Sequence, residues 1–161
     1  MYLKPQRFNT FAALIAPITH SAMAIHLHIE PPLKFVLKER ANLKKWLKNV
    51  IITEGAQLGN LNFIFCTDDY LLEMNKTYLQ HHTLTDVITF DNSEKEGLIE
   101  GDIFISVERV QDNALKFGVA NHEELRRVMV HGVLHLLGYG DKTPEDKAQM
   151  RQKENDYLVT I

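Results

Sequence analysis

His131 and His135 stand four residues apart in the run from Val130 to Asp141, Val-His-Gly-Val-Leu-His-Leu-Leu-Gly-Tyr-Gly-Asp. Residues at that spacing on an α-helix share a face, so each imidazole can offer one nitrogen to the same divalent ion. Gly138 and Gly140 flank Tyr139 just beyond, where a helix would stop and the chain could double back to bring Asp141 in as a third ligand. Two nitrogens and one oxygen leave a fourth tetrahedral position for water, as in catalytic zinc, whereas structural zinc is closed by four ligands rich in cysteine. The chain has one cysteine. A second reading makes the histidines two hydrogen-bonded core residues, which a bare His-x-x-x-His also suits. Val128, Met129, Val130, Val133, Leu134, Leu136 and Leu137 surround them, so the imidazoles need partners under either reading.

A zinc ion with an open position activates water and polarises a carbonyl or phosphoryl oxygen, which makes hydrolysis the natural reaction class. A zincin protease carries Glu directly after the first histidine as its general base; here that residue is Gly132. Peptide cleavage therefore lacks its base. Asp86 and Asp102 each fall at the edge of a predicted strand, where a carboxylate can line a cleft or simply anchor a turn.

The elements that must position these groups follow from periodicity. Ile25, Leu27 and Ile29 alternate with His26 and His28, predicting a half-buried strand with the histidines on its surface. After Pro31-Pro32 the spacing predicts a long amphipathic helix, with Val36, Leu43, Leu47 and Val50 on one face and Lys34, Lys38, Lys45 and Lys48 opposite. A face of single sign suits either solvent or a phosphate backbone. Leu61 to Cys66 reads as a buried strand in which Cys66 is a small core residue, followed by a helix from Thr67-Asp68 to about Tyr78. His81 and His82 belong to a polar irregular stretch and stand outside the metal set. A strand over Val87–Phe90, an acidic solvent-facing loop from Asp91 to Glu100 and a strand over Gly101–Ser106 come next. Ser106 is placed to cap a helix through Val107, Val110, Ala114 and Phe117 that ends at Gly118. Asn121 and Glu124 resemble a capping box opening the histidine helix, His122 to Leu137, and Thr143-Pro144-Glu145-Asp146 opens a last helix through Ala148, Met150 and Tyr157.

With 161 residues, of which 45% are hydrophobic, the chain suits one well-cored domain. A net charge of −3 gives no global attraction to nucleic acid or to an anionic membrane, so any polyanion must be met by a local patch. One cysteine allows no disulfide within the chain and fits a reducing cytoplasm. Residues 1–22 are expected to be a poorly packed extension, with 23–161 as the domain. Lys4, Arg7 and the short run Phe11 to Ala16 mimic a secretory signal, but Pro17 interrupts it and Met23 stands directly before the first strand, as at an upstream or misassigned start. No stretch has the length of a membrane-spanning helix.

Four blocks then carry a resemblance: Leu72-Glu73-Met74-Asn75, Thr85 to Phe90, Gly101 to Ser106 and His131 to Tyr139. In order and spacing they are similar to the YbeY family of rRNA-maturation endoribonucleases, from about Ile25 to the C-terminus. The resemblance implies an α+β single domain, a mixed four-stranded sheet surrounded by about five helices. It implies metal-dependent, single-strand-selective cleavage of RNA during 16S rRNA 3′-end processing and ribosome quality control, with ribosomal RNA and the small ribosomal subunit as partners, in the cytoplasm. No membrane and no small-molecule cofactor is expected. The expected ligands of one zinc ion are His131, His135 and Asp141; Asp86, Asp102 and Arg127 are the catalytic candidates, and Lys34, Lys38, Lys45 and Lys48 the RNA-binding ones. Two positions depart from the family pattern. Asp141 stands where a third histidine is usual, which makes the ligand set harder and more anionic. Leu79 stands where an arginine usually follows the tyrosine of the Asn-x-x-Tyr block, leaving Lys76 or Arg127 as replacements for a phosphate-gripping fork. The rival readings are a ribosome-associated binding factor with a structural metal, and a zinc hydrolase of a small substrate.

Overall fold

The computed structural model describes Tyr2–Leu3 and residues 23–79 and 83–161. In chain order the elements are β1 (Tyr2–Leu3), β2 (Ile25–Ile29), α1 (Arg40–Thr53), β3 (Gln57–Cys66), α2 (Asp68–Leu79), β4 (Val87–Asp91), β5 (Leu98–Ser106), α3 (Val107–Phe117), α4 (Asn121–Leu136) and α5 (Pro144–Leu158). The sheet order is β1-β4-β5-β3-β2. β2, β3 and β5 run parallel, β4 pairs antiparallel with β5, and β1 pairs parallel with β4. The mixed sheet of four strands implied by the sequence is present, with two-residue β1 added on its β4 edge. Apart from the backbone of Tyr2–Leu3, the expected extension over residues 1–22 lies outside the described residues, as do His81 and His82.

Side-chain parity along β3 and β5 divides the core. Phe63, Phe65, Ile103 and Ile105 join residues of α1, α3, α4 and α5 in one large cluster. Ile64, Cys66 and Phe104 face the other way and pack with Leu71 and Met74 of α2. Cys66 is fully buried and burial pushes its thiol up to about 12, so it fills space rather than reacts. α4 crosses the larger face through Leu125, Val128, Met129, Val133 and Leu134, each worth about 1.5–3 kcal/mol of transfer free energy on burial. It lies close because Gly132 is opposite Ile103: a Cβ there would come within 2.8 Å of Ile103 Cγ2. The position after the first histidine thus faces the sheet and has no room for a catalytic acid.

Local signals hold at several ends. Arg109 N–H donates to Ser106 Oγ at 3.1 Å and Gly118 closes α3 at φ 68°. Thr143 and Asp146 cap each other reciprocally at the start of α5, behind Pro144. Other expectations are corrected. The helix after Pro31-Pro32 begins only at Arg40, so Lys34 and Lys38 are not on it. Leu33, Phe35 and Leu37 turn inward while Lys34, Val36 and Lys38 are exposed, which is a period of two rather than 3.6. The cap of α4 is Ala120, with Asn121 already helical and no side-chain cap bond. The acidic loop is shorter than expected, because β5 starts at Leu98 and Ser93 Oγ takes Glu100 N–H at 3.1 Å to tighten the hairpin. His26 and His28 are half-buried on the α2 side, rings 6.1 Å apart, instead of fully surface-facing.

Candidate metal centre

α4 sets His131 and His135 one turn apart, their rings nearly perpendicular with centroids 4.4 Å apart. The helix stops because Gly138 takes a left-handed φ of 97° and its N–H, with that of Tyr139, closes on the carbonyls of His135 and Leu134. The reversed chain then carries Asp141 to the histidines. Its Oδ2 lies 3.6 Å from His135 Nε2, and one donor atom from each of His131, His135 and Asp141 falls within a 4.8 Å group.

The other ring nitrogens are fixed by acceptors. His135 Nδ1 lies 2.9 Å from the carbonyl of Tyr139, which can only accept, so Nδ1 carries the proton and Nε2 keeps its lone pair toward Asp141. His131 Nδ1 meets Glu154 Oε1 at 2.8 Å in the same sense. Metal-bound histidines are held in this way, with the second nitrogen donating to a carboxylate or carbonyl. Burial, reinforced by repulsion from His131, pushes His135 down to about 4, so it is neutral and ready to ligate near pH 7. Burial alone would raise Glu154, but hydrogen bonds from His131 and Arg127 prevail and hold its carboxyl below the usual range. Two imidazoles, each with its Nδ1 engaged by an acceptor, and a carboxylate fit a divalent ion of the zinc class.

The turn itself is braced from α1 and α5. Tyr139 Oη donates to Glu54 Oε2 at 2.7 Å and Lys153 Nζ to Glu54 Oε1 at 2.8 Å, while the Tyr157 hydroxyl makes a short bond to the same carboxylate. Tyr139 is thereby held at its ring by Glu54 and at its carbonyl by His135.

A cavity of about 200 Å³ opens beside His131, lined by Asp86, Asn113, Phe117, Arg127 and Arg151, with Glu124 and Glu154 in its wall. Asp86 Oδ2 accepts from Asn113 Nδ2 at 3.1 Å, and Arg127 Nη1 donates to Glu154 Oε2 at 3.0 Å and Asn155 Oδ1 at 2.8 Å. Two of the three catalytic candidates, Asp86 and Arg127, therefore share this wall with His131. Asp102 does not. Gly101 and Ile103 on either side face α4, so Asp102 points to the α2 side, where Asn62 and Asn92 donate to it at 2.8 and 2.9 Å. A wider groove of about 580 Å³ also lies on that opposite side, along α2. Lys45 and Lys48 are exposed on α1, while Lys34 and Lys38 are exposed on the extended stretch before it. Lys76 is paired with Glu73 at 2.7 Å on α2. Leu79 ends α2.

The sequence reading missed Glu154, the Tyr139 carbonyl and Glu54. One of these left a signal: Met150, Glu154 and Tyr157 fall on one helical stripe and are the buried residues of α5, so an acid occupies a core position.

Residues 33–161 match the family model described as endoribonuclease YbeY. The chain is 50% identical to a Cytophaga hutchinsonii protein named endoribonuclease YbeY over 125 residues, 78% of this chain and 87% of that one. It is 51% identical to the Flavobacterium psychrophilum protein of the same name over 124 residues, 77% and 88% of the two chains. A solution structure from Thermotoga maritima superposes with a TM-score of 0.58 at 28% identity, covering 83% of this chain and 86% of that one. Among the described residues no helix is long and apolar enough to cross a membrane.

Proposed function

The chain belongs to the endoribonuclease YbeY family, and on that premise we propose that it is a zinc-dependent, single-strand-selective endoribonuclease that matures the 3′ end of 16S ribosomal RNA. The observation that carries the metal part is the pairing at α4: His131, His135 and Asp141 converge within 4.8 Å, and each imidazole has its Nδ1 already engaged by an acceptor. A zinc ion held by these three residues would supply Lewis-acid activation of water and of the scissile phosphate. The chain's own groups do the rest. Glu154 and the Tyr139 carbonyl keep both imidazoles in the ligating tautomer, and Gly132 lets α4 sit close enough to the sheet to fix them. Asp86, which lines the cavity, is the proposed proton acceptor, and Arg127 balances the acid that orients His131. Lys45 and Lys48 on α1, with Lys34 and Lys38 before it, are the backbone grip; their exposure supports this, since phosphate contacts position a nucleic acid without reading it. The proposed setting is the cytoplasm, on ribosomal RNA and the small ribosomal subunit, including quality control of that subunit.

The test incubates zinc-loaded protein and its His135→Ala variant with single-stranded RNA bearing a 16S rRNA 3′ end. Cleavage by the parent and loss in the variant is expected. Equal cleavage by both would sink the metal role, and no cleavage by either with RNA still bound would favour a binding factor, the reading that Leu79 encourages.

A further inference from the structure

Phe117 is the last residue of α3 and continues the stripe of Val107, Val110 and Ala114, all three buried, at spacings of three and four. Unlike them it is 55% exposed, and it lies on the wall of the cavity that His131 shares. The stripe has run past the core that its earlier members fill, and its final aromatic ring is presented to solvent in the cavity that His131 also lines. Lys116 Nζ lies 5.5 Å from the ring centroid, adding a cation at the same spot.

The rest of the cavity is polar in a particular way. Asp86 and Asn113 form one hydrogen-bonded pair, and Glu124 and Glu154 add two more carboxylates. Glu154 is taken up by His131, Arg127 and Arg151, which leaves Asp86 and Glu124 as the carboxylates suited to the exocyclic amino groups of cytosine, adenine and guanine, which donate. The cations sit differently. Arg127 is tied to both Glu154 and Asn155, whereas Arg151 makes a 3.2 Å contact to Glu154 with its side chain 57% exposed. The space, about 200 Å³, is too small for a paired duplex.

We propose, on the endoribonuclease reading above, that this cavity is a subsite for one unpaired nucleobase, stacked on Phe117 and addressed at its amino edge by the Asp86 and Asn113 pair, with Arg151 holding a neighbouring phosphate. A base can reach it only when free of its partner strand, which gives single-strand selectivity a physical origin: a paired base has its edge occupied and its faces covered. Stacking makes the site tolerant of base type, and the carboxylate makes it prefer amino-bearing bases over uracil.

The experiment measures fluorescence anisotropy of 5′-labelled hexamers of cytidylate, adenylate and uridylate with the full chain, chelator present to stop turnover. Phe117→Ala is expected to weaken binding of all three by about 5- to 10-fold, the lower end of what losing a stacking platform costs, with the salt dependence unchanged. Phe117→Tyr is expected to restore it, which separates stacking from any effect on folding. Arg151→Gln is expected to lower the salt slope by about 0.7, the loss of one phosphate contact on a single strand. Asp86→Asn is expected to erase a preference for cytidylate and adenylate over uridylate. Parent-like binding by Phe117→Ala, or equal affinity of the parent for the three hexamers, overturns the subsite while leaving the nuclease reading standing. Failure of the parent to bind any hexamer overturns both.

Discussion

Glu154→Gln tests the bracing of the proposed metal ligands most directly. Glu154 is 5% exposed, accepts from His131 Nδ1 at 2.8 Å and Arg127 at 3.0 Å, and forms an ion pair with Arg151 at 3.2 Å. Glutamine keeps the volume but removes the charge that fixes the tautomer of His131, and loss of such an outer partner weakens metal binding by about 10- to 100-fold. At the lower figure the linkage can be worked through. With zinc at one hundred times the parent dissociation constant, binding stabilises the parent by about 2.7 kcal/mol and the variant, at ten times its own, by about 1.4 kcal/mol. For a chain of this size about 1 kcal/mol moves the melting midpoint by roughly 2–4 °C, so the zinc-induced rise should shrink by roughly 3–5 °C. Differential scanning with and without zinc reads this, and a chelator competition gives the dissociation constant itself. Arg127→Gln is the control. It also removes a partner of Glu154 but leaves the acceptor of His131 in place, so it should lower the metal-free midpoint while keeping the zinc-induced rise. Parent-like zinc affinity in Glu154→Gln would refute the bracing argument, whatever happened to the metal-free midpoint.

Two further outcomes follow from the same geometry. Burial, then the charge of His131, holds His135 near 4 in the folded chain, below its ordinary value of about 6.5. Between those values the unfolded chain takes up a proton that the folded chain refuses, so metal-free stability should be full above about pH 6.5 and fall as the pH drops toward 4. Urea midpoints across that range, compared with His135→Gln, should show the variant losing less; identical slopes would remove His135 from the account. In Gly132→Ala the new Cβ would meet Ile103 Cγ2 at 2.8 Å and Cδ1 at 3.1 Å, so the Ile103 side chain or α4 itself must shift. Overpacking of this kind costs about 1–3 kcal/mol, and an unchanged urea midpoint would contradict the close approach.

The two histidines and the turn at Gly138 were legible because helical spacing and a left-handed glycine are local matters, settled by the chain within a few residues. What failed was less local. Leu33 to Lys38 fits a helix by some positions and a period of two by others, and only the packing of Leu33, Phe35 and Leu37 together decides for the extended form. Asp86 and Asp102 looked alike because each ends or enters a strand. β5 is buried on both faces through Ile103, Phe104 and Ile105, so its sequence lacks the alternation that would have told Asp102 from its neighbours, and the side occupied by α4 is a tertiary fact. Glu154 belongs to a third kind. The spacing of Met150, Glu154 and Tyr157 assigns it to the core stripe of an otherwise polar helix, and a carboxylate at such a position must be paired or lose its charge. The pairing it finds is with Arg127 and with the first histidine of the metal set, so the apparent flaw in the α5 pattern is the residue that orients the site on α4.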